Sequence, residues 1–156
     1  MLTTRTMSAA PTPGLRMRIG AVRTLLGRLP LSVLQLAFRL AIASVFLKAG
    51  LNKLASWELT VQLFRDEYMV PVLPPEIAAA MATTFEIGCS ALLVAGLATR
   101  LATLPLLGMI CVIQLFVYPS AYSEHLTWAS LLAFLLTRGG GALSLDRLLG
   151  LESPTS

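Results

Sequence analysis

The sequence predicts an all-α membrane protein: a bundle of four transmembrane helices behind a basic amphipathic N-terminal segment. Composition is the first reason. Of the 156 residues, 56% are hydrophobic and only 13% charged, and the mean hydropathy is +0.76. Soluble domains carry roughly 25% charged residues, so a water-facing surface cannot be assembled from so few. Four long apolar runs are the second reason. The third is where the bases fall. Arg5, Arg16, Arg18, Arg23 and Arg28 precede the first run, Arg100 sits between the second and third, and Arg138 and Arg147 follow the fourth. The opposite side keeps only Arg65 clear of a helix end, among Glu58, Asp66, Glu67, Glu76 and Glu124. Eight bases against one is the positive-inside bias of a polytopic membrane protein, with both termini cytoplasmic. The pI of about 9.6 then points to an anionic lipid surface and not to nucleic acid.

Residues 1–30 form the extension. The first fourteen read as disordered. Leu15, Ile19, Val22, Leu26 and Leu29 recur at helical spacing while Arg16, Arg18, Arg23 and Arg28 fill the other faces. That pattern predicts a basic helix lying on the inner leaflet, with an unstructured basic tail as the alternative. Pro30 breaks it from the first span.

The spans are expected over residues 31–54, 76–97, 101–118 and 122–137, within a domain of residues 31–150 that leaves 151–156 as a tail. A helix needs about 20 residues to cross the hydrocarbon core, so the fourth is marginal and has to reach by local bilayer thinning or by extension. Ala41-Ile42-Ala43 resembles a signal-peptidase site, but Arg39 interrupts the apolar core that a cleaved signal requires. Residues 56–75 connect the first two spans on the outer side. Trp57, Phe64 and Tyr68 fit an interfacial segment, with a plain loop as the alternative. Pro71, Pro74 and Pro75 then turn the chain back.

Charges within the spans need partners, because each costs roughly 2.5 to 3.5 kcal/mol at a helix centre. Arg39 lies about 12 Å deep from the inner boundary, Lys48 about 26 Å and Glu86 about 20 Å. Arg39 to Glu86 is therefore the expected pair. Arg39, Ala43, Phe46, Gly50 and Lys53 share one helical stripe, whereas Lys48 points about half a turn away. Lys48, with Asn52, either snorkels to the outer headgroups or serves a wet cavity with Glu86. Glu86 is either a structural salt-bridge partner in a tightly packed bundle or a proton or ligand site. The second and third runs form a hairpin, which puts Gln114 level with Glu86 and Cys89 level with Cys111. The thiols are either small buried hydrophobes or a Cu(I) pair, with Met109 nearby. His125 is the only histidine and reads as an interfacial residue at the start of the last helix. Gly139-Gly140-Gly141 reads as that helix's stop. No phosphate-binding glycine loop, catalytic triad or metalloprotease motif is visible.

Arg39-Leu40-Ala41 through Phe46-Leu47-Lys48-Ala49-Gly50-Leu51-Asn52-Lys53-Leu54 resembles the first-helix signature of the DoxX family. Glu86-Ile87-Gly88 through Gly96-Leu97-Ala98-Thr99-Arg100 is similar to its second helix and inner turn, and Gly141-Ala142-Leu143-Ser144-Leu145-Asp146 to its closing segment. The likeness covers about residues 31–150, with Lys48 standing where an apolar or aromatic residue is expected. It implies a four-helix bacterial inner-membrane protein, with Arg39, Lys53 and Glu86 at matching polar positions. It also implies a membrane subunit of a redox or quinone-linked complex, paired with a protein partner or with itself. Copper handling or small-molecule transport, and a purely structural anchor, are the other readings.

Overall fold

A computed structural model describes residues 30–151 together with Arg18, Gly20 and Gly27. The expected amphipathic helix over 15–29 and the tail after Leu151 lie outside the described residues, apart from those three. Every regular element among the described residues is helical: α1 (Leu31–Ala55), α2 (Trp57–Leu63), α3 (Pro75–Ala95), α4 (Thr99–Val112), α5 (Tyr122–Arg138) and the short α6 (Leu145–Leu148). Helix α2 runs on into a π-helical turn, Phe64–Tyr68, and α4 into another, Ile113–Val117. Helix α1, helix α3, and α4 with its π-turn are 25, 21 and 19 residues long and apolar enough to cross a membrane. A helix satisfies most of its backbone groups internally, the condition for lying in hydrocarbon, although Pro105 removes one such bond within α4. Helix α5 has 17 residues and does not reach that length.

The stretch expected as an interfacial segment or loop is mostly helical. Pro74 caps α3 and Pro75 opens its first turn, where a missing N–H costs nothing. Phe64 and Tyr68 turn inward from the π-turn while Trp57 stays 39% exposed, so only Trp57 is placed as an interfacial anchor would be.

Helix α1 packs against α3 and α5, and α4 packs against the same two. The buried face of α1 is Gln35, Arg39, Ile42, Ala43, Phe46 and Gly50, the stripe that helical spacing predicts. Gly50 sets how close α1 comes to α3, since a Cβ there would stand 3.0 Å from Glu86 Cβ and nearer still to Ile87. Small residues at such crossings let backbones approach. Ile42, Leu93, Leu106, Leu132 and Leu135 fill the centre, all fully buried. Phe38 on Phe134 and Phe46 on Trp128, with centroids 5.1 and 6.0 Å apart, join α1 to α5 edge to face.

At the end away from α2 the chain is clasped by polar groups. Arg39 donates from Nη1 to the Gly140 carbonyl at 3.1 Å and from Nη2 to that of Leu143 at 3.0 Å. Gln35 donates to the carbonyl of Arg138 at 2.9 Å. Gly139 ends α5 as expected, at φ +73. The α3–α4 turn depends on Gly96, whose φ is +69 and whose missing Cβ leaves the space that the Arg39 guanidinium occupies. Asp146, arriving from α6, accepts the Ala98 and Thr99 N–H groups at 2.6 and 2.8 Å. It caps α4 from a distant part of the chain, and its charge suits the positive end of that helix.

Candidate functional site

The α2 end holds a cavity of about 630 Å³, walled by α1, both π-turns, α3, α4 and the start of α5. Most of the wall is apolar, with Phe46, Phe64, Phe85, Met109 and Trp128 among it, and a few polar groups converge on it: Lys53, Glu86, His125 and Tyr68. That volume and that mix are typical of small-molecule sites.

Lys53 Nζ donates to both Glu86 carboxylate oxygens, at 2.6 and 2.8 Å. Glu86 is 3% exposed and Lys53 21%. The pair forms because Lys53 lies one turn beyond Gly50, at the level where α1 and α3 come closest. Thr60 donates its hydroxyl to the Lys53 carbonyl at 3.0 Å, tying the start of α2 to the end of α1.

His125 is 4% exposed and sits against Trp128, ring centroids 5.5 Å apart. Gln114 decides its protonation geometry. The amide Nε2 donates to the Pro119 carbonyl at 2.9 Å, which turns Oε1 toward the imidazole. Oε1 can only accept, so His125 Nδ1, 2.7 Å away, carries the hydrogen. In the neutral ring Nε2 is then an acceptor, and it has no protein partner among the described residues.

The two π-turns meet beside this site. Tyr118 donates its hydroxyl to Glu67 Oε1 at 2.7 Å, and the Tyr68 ring stands edge-on to Tyr118 and to Phe64. The hydrogen bond to Glu67, then that with Tyr68, holds the Tyr118 phenol well above its ordinary range. π-Turns inside longer helices are frequent at functional sites.

Of the residues singled out by sequence, Lys53 and Glu86 meet on the cavity wall. The expected Arg39–Glu86 pair does not form: Arg39 serves the opposite end, and Glu86 lies level with Gly50, about 16 Å further along α1. Lys48 is exposed and does not line the cavity. Gln114 contacts His125 and is not among the residues that line the cavity with Glu86. Cys89 is buried and Cys111 exposed, so they do not form a shared buried thiol pair. No group of three or more metal-ligating side chains occurs among the described residues.

The sequence suggests an interfacial His125, and the structure buries it. A signal for burial is present: His125, Trp128, Leu132 and Leu135 repeat at spacings of three, four and three, which is one helix face. Tyr68 and Tyr118 carry no such periodic signal.

Residues 34–119 match the family model described as DoxX. They include Arg39, Lys53, Glu86 and Gln114; His125 and the Asp146 clasp lie beyond the matched segment. No curated protein and no solved structure matches the chain.

Proposed function

The chain belongs to the DoxX family, and from that premise we propose that it is the membrane subunit of a quinone-linked redox complex, holding a quinol-type ring in the cavity at its α2 end. The observation that carries this reading is buried His125 on the wall of an aromatic-lined cavity that also holds the Lys53–Glu86 pair, with Nδ1 held by Gln114 so that Nε2 is left to accept. A quinol is an apolar ring with two hydroxyl donors. One hydroxyl would donate to His125 Nε2 while Phe46 and Trp128 give the ring apolar surface. Bound there, the ligand would supply the electrons and protons of a redox step, and the chain's own groups would bind and orient it. The Cu(I) alternative is supported less, since Cys89 is buried and Cys111 exposed. The chain would assemble with a second protein subunit, which would carry the electron acceptor, or with another copy of itself.

The test is binding of a short-chain quinol analogue to the purified protein in detergent. His125→Ala is expected to weaken it about tenfold, the worth of roughly one hydrogen bond. Binding that is unchanged by this substitution would remove His125 from the site.

The reading includes four crossings in a bacterial inner membrane, with residues 31–150 as the spanning domain. Helix α5 is the fourth, about 25 Å long, which suffices where the bilayer thins by a few ångströms. Its Leu132 and Leu135 are fully buried against the other helices. Reporter fusions after Leu54, Leu97, Tyr118 and Ser156 are expected to read outside, inside, outside and inside. A C-terminus reading outside would eliminate the fourth crossing.

A further inference from the structure

Seven residues line the cavity and are also exposed on the surface of the protein: Leu73, Tyr118 and Glu124 at the α2 end, and, along the candidate spans, Met81 and Phe85 of α3 and Gly108 and Val112 of α4. Met81 is 43% exposed, Phe85 37% and Val112 36%. Within each helix the two residues stand four apart, so each pair occupies one face. They edge the cavity where it meets the outer surface between the two helices. The α4 wall is low there. Pro105 and Gly108 both line it, and a Cβ built on Gly108 meets nothing within 4 Å.

The height of this gap identifies its surroundings. Helices α3 and α4 are joined by the turn at Gly96–Ala98 and are both candidate membrane spans. Counted from that turn, Gly108 lies about 15 Å along α4 and Met81 about 24 Å along α3. A hydrocarbon core is about 30 Å thick, so the gap faces acyl chains and not water.

We infer that the cavity opens sideways into the bilayer between α3 and α4, through a portal edged by Met81, Phe85, Gly108 and Val112, and takes its ligand from the lipid phase. The ligand is an amphiphile whose polar ring reaches His125 and whose apolar tail lies in the gap. This inference rests on the ligand-holding reading of the cavity and adds the route and the tail. Three of the edge residues have a task in it. Met81 and Phe85 offer flexible or flat apolar surface to a chain passing between the helices, and Gly108 leaves the width for it. A Cβ at 108 has no atom of the Lys53–Glu86 pair or of His125 within 4 Å, so a larger side chain starts from open space in that width.

The test uses the full chain in lipid nanodiscs, with Trp57→Phe so that Trp128 is the single tryptophan. The change in Trp128 emission follows the association of two probes, both reduced to the quinol and kept anaerobic: a long-tailed benzoquinol confined to the bilayer, and a tail-less dimethoxybenzoquinol added from water. Gly108→Leu is expected to slow association of the tailed probe by about tenfold while leaving the tail-less probe within about twofold, as a narrowed route would. Val112→Phe, at the same edge, is the second variant and is expected to act in the same direction. A tailed-probe rate that is unchanged in both, or slowed no more than the tail-less one, overturns the portal and leaves the ligand reading standing. Failure of both probes to bind before any portal substitution overturns the two together.

Discussion

Replacing Lys53 with Met is expected to destabilise the protein by about 3 kcal/mol, toward the low end of the range for breaking a buried ion pair, because Lys53 keeps some exposure. The loss arises less from the absent attraction than from what remains. Glu86 is 3% exposed, and its hydrogen-bond partners among the described residues are the two contacts from Lys53. Without them a carboxylate stays in an apolar wall, desolvated and unbonded. Replacing both residues with Met removes the charge as well as its partner and is expected to recover most of the loss. Well-packed apolar substitutes often equal a buried pair. Unfolding in detergent of the two single variants and the double variant decides this. A double variant whose loss equals the sum of the single losses would show no coupling between the residues. Ligand binding reads a separate consequence, because the pair also contributes polar groups to the cavity.

Arg39→Met is expected to cost a similar amount, about 3 kcal/mol, through the opposite end of the molecule. Two hydrogen bonds from a charged donor are lost, each worth about 1.5 to 3 kcal/mol, and Met regains part of the packing. The carbonyls of Gly140 and Leu143 lose their donor, and the closing segment that delivers Asp146 to the start of α4 is loosened. Arg39→Lys is not expected to rescue this, since one ammonium on a shorter stem cannot reproduce a fork that reaches two carbonyls. Gly96→Ala tests the same clasp from its other side, because it adds a Cβ at a positive φ where the guanidinium lies. Combined with Glu86→Met, Arg39→Met is expected to be additive within about 0.5 kcal/mol, as for residues more than about 10 Å apart. A coupling well above that would restore the pairing that sequence depth points to. Thermal unfolding alone measures stability here; quinol binding by the folded fraction should be nearly unchanged, since Arg39 does not line the cavity.

Helix positions and helix faces were legible without the structure. The expected spans begin and end within two residues of α1, α3, α4 with its π-turn, and α5. Apolar run length and the punctuation by Pro30, Gly96 and Gly139 are local properties, and membrane length is dictated by the bilayer. The stripe Arg39, Ala43, Phe46 and Gly50 was legible for the same reason: about 100° per residue is a constant of the helix. The helical character of Trp57–Tyr68 was not. That stretch is short, and its inward residues Phe64 and Tyr68 gain their role only from α3 and the second π-turn packed beside them.

By itself the sequence determined that this is an all-helical membrane protein of the DoxX family, which residues of α1 face inward, and that Arg39, Lys53 and Glu86 require partners. Which partner each one takes was decided by the tertiary structure. Period and composition specify the direction in which a side chain points around its helix, but not the height at which two helices meet. That axial register comes from the close approach at Gly50, the tight turn at Gly96 and the anchoring of α4 by Asp146, contacts between segments far apart in the chain. They slide Glu86 up to Lys53, leave Arg39 to the closing segment, and bring Gln114 to His125, which stands on the cavity wall. A charge pair in a low-dielectric interior depends on distances of a few ångströms, and those distances exist only once the helices are docked.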